Sequence, residues 1–368
     1  MPRRGLWFLL ILALILAGGL FAWTERQSII VWYYARQLGT ADAAERQRLA
    51  QQLAAWEPLA IARLARQLES ADAELCAGST DVLLGWLTRR GGGDPRGEHV
   101  ASVLVQRWDR LSPPGQAQTC RLVRELQART VRDQQTKWQP LVGTLLKVAA
   151  PSAPDEALPF LLHLGWMMIE APEGAAHGPA CRQLALAGLK SQVAATRVLA
   201  VRLAAHPSLE AGQEVAARLK GPALDSAPEV RAMAIAVLGH SDHLLPTDDL
   251  LPFLHDADDE VRLLAEQALR GRGLSQPQVQ LGKLMLHPDA AMRVRVPGQV
   301  LEMPELDVNL WLSRLTKDPA PAVRAAVARA VGDAAEPSLR PWLERLAEHD
   351  PNPTVQQLAR YYLQMTAN

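Results

Sequence analysis

Phenylalanine and tyrosine are scarce, four of each in 368 residues, while alanine, leucine and arginine dominate. Strand-forming residues are sparse and no stretch alternates cleanly between apolar and polar, which argues against β structure. Cysteine is nearly as rare, with only Cys76, Cys120 and Cys181. An odd number completes no disulfide framework, and spacings of 44 and 61 match no metal-binding pattern. Each lies among apolar residues at helical spacing, as in Glu74-Leu75-Cys76-Ala77, where a small buried hydrophobe is the expected role.

Net charge is missing too, from 39 basic and 39 acidic residues. The balance is uneven along the chain. Residues 1–147 carry 19 Lys/Arg against 13 Asp/Glu, a net of +6, and residues 148–368 carry 20 against 26, a net of −6. No basic stripe is interleaved with aromatics, so nucleic acid is not an expected partner. Catalytic signatures are absent: there is no H-E-x-x-H, G-x-S-x-G, Walker-type G-K-[ST] or G-x-G-x-x-G. Gly91-Gly92-Gly93 runs into Asp94-Pro95 without the lysine of a phosphate loop. Asp258-Asp259-Glu260 falls in the first turn of a helix, where acids favour the helix dipole. The expectation is a protein that is not an enzyme, with no cofactor and no metal.

Apolar residues make up 48% of the chain and charged residues 21%, a composition that folds. The N-terminus opens with Arg3 and Arg4, after which Leu6 to Trp23 carry no charge. Those 18 residues span about 27 Å as a helix, enough for a thin hydrocarbon core. Trp7 and Trp23 stand at its ends and Trp32 beyond it, where amphipathic rings suit the headgroup level. The segments predicted are a cytoplasmic N-terminus (1–5), a transmembrane signal anchor (6–23) and a juxtamembrane helix (24–39). Arg3 and Arg4 favour an N-terminus in the cytoplasm and a body outside it. The alternative is a cleaved signal peptide ending near Ala17-Gly18-Gly19, giving an exported protein.

The rest of the chain carries an internal period. Arg231, Arg262, Arg293, Arg324 and Gln356 follow one another at intervals of 31, 31, 31 and 32 residues. Around them recur Asp225-Ser-Ala-Pro-Glu-Val-Arg231, Asp256-Ala-Asp-Asp-Glu-Val-Arg262, Pro288-Asp-Ala-Ala-Met-Arg293, Asp318-Pro-Ala-Pro-Ala-Val-Arg324 and Asp350-Pro-Asn-Pro-Thr-Val-Gln356. A further copy lies at Thr196-Arg197-Val198. Each unit has a Pro/Asp-rich turn, an apolar stripe at helical spacing such as Val261, Leu264, Ala265, Ala268 and Leu269, and a second helix such as Ala334–Glu348. A helical hairpin of about 31 residues cannot bury its apolar face alone, and stacking on neighbours does so.

The D-x-x-x-x-V-R-x-x-A pattern resembles HEAT repeats, particularly the short bacterial form also seen in phycocyanobilin-lyase-like proteins. The resemblance implies an all-α α-solenoid of stacked antiparallel helix pairs, a HEAT-like superhelix, here preceded by one transmembrane helix. It covers residues 190–368, with residues 40–189 read as degenerate helical repeats. It also implies a hydrogen-bonded ladder between adjacent repeats, formed by Asp225, Arg231, Asp256, Arg262, Asp318 and Arg324. Gln356 would end it as a neutral cap, and the Arg293 rung lacks an aspartate six residues before it.

Pro297-Gly298 falls inside an expected helix, where proline removes a hydrogen bond, so a kink or break is predicted near Val296. His255, His287 and His349 occupy equivalent turns about one repeat, roughly 10 Å, apart, too far to share a metal ion. His240-Ser241-Asp242-His243 falls in a turn where polar residues are expected anyway. The function predicted is a membrane-anchored interaction scaffold that binds a protein or peptide partner, itself membrane-associated, on the solenoid surface, with the bilayer held through residues 6–23. The alternative is a lyase-like or other enzyme using a pocket on the solenoid.

Overall fold

Helix boundaries are written in the caps. Asp42, Asp72, Ser112, Asp258 and Asp307 each accept a hydrogen bond from a backbone N–H in the first turn of the helix that follows, and Ser275 forms a reciprocal capping box with Gln278. Proline stands in the first turn where its missing N–H costs nothing, as at Pro113, Pro228, Pro321 and Pro341. The computed structural model describes residues 25–88, 95–130, 136–172, 174–221, 224–303 and 306–365, and no strand occurs among them. The anchor expected at residues 6–23, with Trp7 and Trp23, lies outside the described residues. Among those described, no helix is long and apolar enough to cross a membrane.

The chain divides into two compact units at Ala211/Gly212. The first contains α1 (residues 25–37), α2 (Ala43–Leu53), α3 (Glu57–Gln67), α4 (Ala73–Leu87), α5 (Pro95–Gln106), α6 (Pro113–Arg129), α7 (Gln139–Ala149), α8 (Leu158–Ile169), α9 (Gly178–Gly188) and α10 (Ala194–Ala204). Helices α2, α4, α6, α8 and α10 pack in sequence as one layer, and α3, α5, α7 and α9 as another. Helix α10 carries the repeat motif of the C-terminal stretch and belongs by its packing on α8 and α9 to the first unit.

The second unit contains α11 (Gly212–Ala216), α12 (Pro228–Leu238), α13 (Thr247–Leu250), α14 (Asp259–Gly271), α15 (Gln276–Met285), α16 (Ala290–Arg293), α17 (Val296–Glu302), α18 (Val308–Leu315), α19 (Pro321–Ala334), α20 (Arg340–His349) and α21 (Pro353–Met365). Among the motif-bearing helices of one layer, α12 packs on α14, α17 on α19 and α19 on α21, and the second helices α15, α18 and α20 pack against α14, α17 and α19 respectively. The stripe three residues after each motif position, Ala234, Ala265, Val296, Val327 and Ala359, is fully buried in every repeat. Burial of each larger side chain of this kind is worth roughly 1.5–3 kcal/mol.

Two expectations need refinement. The second helix of the Arg324 repeat does not begin at Ala334. Helix α19 runs through Ala334, Ala335 turns left-handed at φ 51°, and a short 3-10 turn from Pro337 leads into α20 at Arg340. Near Val296 the helix is divided into α16 and α17. Pro297 falls in the first turn of α17, where no N–H is needed. Val294 and Arg295 stay in the right-handed helical region, so the apolar stripe keeps its phase through the division.

Close helix approach in the first unit depends on Gly115. A methyl group there would collide with the Leu68 carbonyl oxygen, which already accepts from Ser112. Gly85, exposed in α4, has open space around the same position. Gly115→Ala is therefore expected to destabilise by about 1–3 kcal/mol, and Gly85→Ala to stabilise by about 0.5–1 kcal/mol. Urea unfolding of the two variants checks the opposite signs.

Candidate interaction surface

The repeat arginines work in two directions. In each repeat one guanidinium nitrogen, Nη1, donates back to two carbonyls in its own turn. Arg231 reaches Asp225 and Ser226 at 2.9 and 3.1 Å, Arg262 reaches Asp256 and Ala257 at 2.6 and 3.0 Å, and Arg293 reaches His287 and Pro288 at 2.7 and 3.0 Å. Arg324 does the same to Asp318 and Pro319. The other edge, Nε and Nη2, donates forward to both oxygens of a carboxylate in the next repeat. Arg231 pairs with Asp256 at 2.9 and 2.6 Å, Arg293 with Asp318 at 2.8 and 3.0 Å, and Arg324 with Asp350 at 2.8 and 2.9 Å. Each of these aspartates also accepts the N–H two residues on, from Asp258, Ala320 and Asn352 respectively. At the end of the series Gln356 keeps only the backward contact, donating to the Asp350 carbonyl at 2.7 Å.

These pairs are buried: the Arg324 and Asp350 side chains are 7% and 1% exposed. Burial pushes the Asp256 carboxyl up, but the Arg231 hydrogen bonds, the Asp258 N–H and the charges of Arg231 and Arg262 outweigh it and hold it below the usual carboxylate range. Asp350 is held low in the same way by Arg324 and the Asn352 N–H, against its burial. The hydrogen bonds to the carboxylates raise Arg231, Arg293 and Arg324 against their own desolvation.

Arg262 departs from the expected ladder. The position 25 residues ahead, where Arg231 finds Asp256 and Arg293 finds Asp318, is His287. The imidazole Nδ1 accepts the Asp289 N–H as an aspartate would, but the ring carries no carboxylate oxygens for a guanidinium, and Arg262 turns to Asp259 in its own helix. The Arg293 rung, for which an aspartate six residues back was missing, is complete because its carboxylate comes from the repeat ahead. Asp350 joins the ladder on the same ground. An offset of 25 or 26 residues from each arginine was the signal in the sequence. The histidines also differ from expectation: the His255 and His287 rings meet edge to face at 5.9 Å, closer than the repeat spacing suggested.

The polar turn His240-Ser241-Asp242-His243 is organised by Arg272. Its guanidinium donates to the carbonyls of Gly239 at 2.7 Å and Leu245 at 2.6 Å, to Asp242 at 3.0 Å and to Thr247 at 3.1 Å. Burial pulls the Arg272 pKa down against the charge of Asp242. A cation is thus already seated on the carboxylate a metal would use. Among the described residues no three His, Cys, Asp or Glu side chains converge as metal ligands do.

Beside this turn runs a groove of about 510 Å³, lined by Thr247, Arg272, Leu274, Gln278, Leu310 and Trp311 among others. Trp311 is buried and its ring lies against Gly282, while Leu310, the preceding residue, is 46% exposed. Arg314 is taken up by an ion pair with Asp248 and by the Trp311 ring, 5.8 Å away. The arginines of the groove are consumed internally. Asp242 and Asp248 remain 74% and 64% exposed at its rim.

This is the architecture of a helical-repeat protein, whose stacked hairpins present extended surfaces to other macromolecules. Residues 308–366 match the family model described as HEAT repeats. Among solved structures, an engineered protein (Northeast Structural Genomics Consortium target OR497) is 16% identical over 92% of this chain and 99% of its own, with a TM-score of 0.26, a likeness that bears on neither fold nor function. No curated protein matches the chain.

Two measurements test the ladder. His287→Asp supplies the carboxylate that Arg262 lacks and is expected to add about 1.5 kcal/mol, the range of a hydrogen bond to a charged group, raising Tm by about 4 °C. No gain in calorimetry overturns it. Because the folded pKa values of Asp256 and Asp350 are depressed, their contribution is complete above the unfolded value of about 3.9 and is lost as pH falls through the lower folded values. Urea midpoints should hold between pH 8 and pH 5 and drop below about pH 4. Asp350→Asn should lose about 3 kcal/mol at neutral pH and show a shallower acid limb; parallel acid limbs contradict the assignment.

Proposed function

We propose that this protein is a membrane-anchored, non-catalytic scaffold that binds a protein or peptide partner in the groove beside α18. The observation that carries the reading is the exposed Leu310 framed by Asp242 and Asp248, in a groove whose arginines are already engaged. Such a site favours a segment with an apolar anchor, because the charges at its rim are already paired and Leu310 is the surface a partner can bury. A non-catalytic role is supported by the thiols. Burial pushes Cys181 up to about 11 and raises Cys76 and Cys120 as well, leaving no thiolate nucleophile among them.

The anchor part of the proposal rests on the uncharged run from Leu6 to Trp23, with Arg3 and Arg4 favouring a cytoplasmic N-terminus and an extracytoplasmic body. Tethering would confine the scaffold to the bilayer and raise its effective concentration toward membrane-associated partners.

A photoreactive residue in place of Leu310 tests the groove in membranes of the native host. Leu263, 54% exposed on α14 in the other layer, is the control. The expected result is an adduct of one discrete mass from position 310 and none from 263. Equal adducts from both, or none from 310, overturn the proposal.

A further inference from the structure

Three exposed residues of α1 are large and apolar, beside the exposed Arg26, Gln27, Ser28 and Arg36. Val31, Ala35 and Leu38 turn inward and are buried. Ile29, Trp32 and Tyr33 turn outward and are 51%, 40% and 56% exposed. Leu59 of α3, 44% exposed, stands across a groove of about 460 Å³ that Ile29 and Trp32 also line. Elsewhere among the described residues the large exposed hydrophobics stand singly or, as Tyr361 and Met365 on α21, as a pair, and a cluster of four marks a contact surface.

Arginines surround this patch. The Arg36 guanidinium lies 5.4 Å over the Trp32 ring, and Arg63 and Arg66 line the groove. Among the described residues, neither Arg63 nor Arg66 forms an ion pair. In the adjoining groove between α3 and α5, by contrast, Arg96 is paired with Glu57 at 2.6 Å. Aromatic rings beside cations without partners match the boundary between acyl chains and anionic headgroups, where an indole or phenol ring sits at the interface and a guanidinium binds phosphate. The uncharged run of the sequence ends at Trp23, and the described part of α1 starts at residue 25.

We infer that α1 and the α3 edge form a second membrane contact, laid on the surface of an anionic bilayer with Ile29, Trp32, Tyr33 and Leu59 in the interface and Arg63 and Arg66 on lipid phosphates. The inference rests on the anchored reading proposed above and goes beyond it, since an anchored body need not touch the bilayer. It makes the chain a two-signal membrane protein in which the lipid charge governs how the first unit lies.

The test uses the full chain reconstituted in vesicles of phosphatidylcholine alone or mixed with phosphatidylglycerol. Single cysteines replace Ile29, Tyr33, Leu59 or, as control, Gln51, exposed on α2 in the other layer. The native cysteines are buried, so an environment-sensitive dye labels the new site alone. Nitroxide lipids labelled at shallow depth should quench positions 29, 33 and 59 in the anionic vesicles and leave position 51 unquenched. Arg63→Glu with Arg66→Glu should lower the ratio of docked to undocked chain at least about 25-fold, from about fivefold per lost arginine. Alkaline carbonate extraction separates the two readings. Retention of the chain with no quenching at 33 overturns the surface contact and leaves the anchor. Release of the chain with quenching at 33 overturns the anchor and supports the surface contact. Release without quenching overturns both.

Discussion

A guanidinium that faces two ways is the constraint on which the second unit depends. Backward, Arg231, Arg293 and Arg324 close their own turns; forward, they fix the turn of the next repeat through a carboxylate that also caps its own backbone. Each turn is therefore specified by two repeats at once. Charges this deeply withdrawn from water gain little net stability over an apolar pair, because desolvation consumes most of the attraction. What they enforce is register. A hairpin displaced by one helical turn would strand a buried carboxylate and a buried guanidinium, at several kcal/mol each.

The ladder can lose one rung because a second, apolar spine runs beside it. At the repeat where Arg262 faces His287, the helix is also divided before Pro297, so two polar defects fall together. Val296 remains as buried as Ala265 before it and Val327 after it. The backbone at Val294 and Arg295 is helical on both sides of the division, which preserves the angle at which the next side chain points. The polar spine sets the spacing of the turns and the apolar spine supplies the driving force. A repeat with only the latter still stacks.

This division of labour explains what could be read from the sequence. The motif at 231, 262, 293, 324 and 356 was legible because five turns need the same backbone geometry, and the helical hairpins followed from their periodic apolar faces. The partner of each arginine was harder to read. The aspartate six residues before it is the nearest in sequence and contributes its carbonyl, while the carboxylate lies 25 residues ahead. In the first unit the layering of α2 through α10 is as regular as in the second, but it is held by close approaches such as Gly115 on Leu68 and by caps of varied type. Those leave no residue repeating in phase. The groove beside α18 was illegible for a related reason: Leu310 exposed and Trp311 buried are adjacent residues whose difference arises only when Trp311 meets Gly282 of another repeat. Helix ends such as Ala334 were misplaced because a left-handed alanine at 335 carries no glycine signature.

The two proposed contact surfaces differ in what their arginines are doing. In the groove of the second unit Arg272 and Arg314 are spent on carbonyls, Asp242 and Asp248, so that the surface left to a partner is apolar with a rim of paired charges. Along α1 and α3, Arg63 and Arg66 carry no such commitments, and the surface is apolar with a basic rim. The same opposition appears in the sequence, +6 over residues 1–147 and −6 over residues 148–368. On the proposal, an anionic bilayer attracts the first surface and gains nothing from the paired charges of the second, within the roughly 8–10 Å over which charges are felt at physiological salt. On the proposals above, the neutral total of this chain is the sum of two surfaces, one suited to lipid phosphate and one to a polypeptide with an apolar anchor. A uniform mixture of charges giving the same total would let either ligand occupy either face.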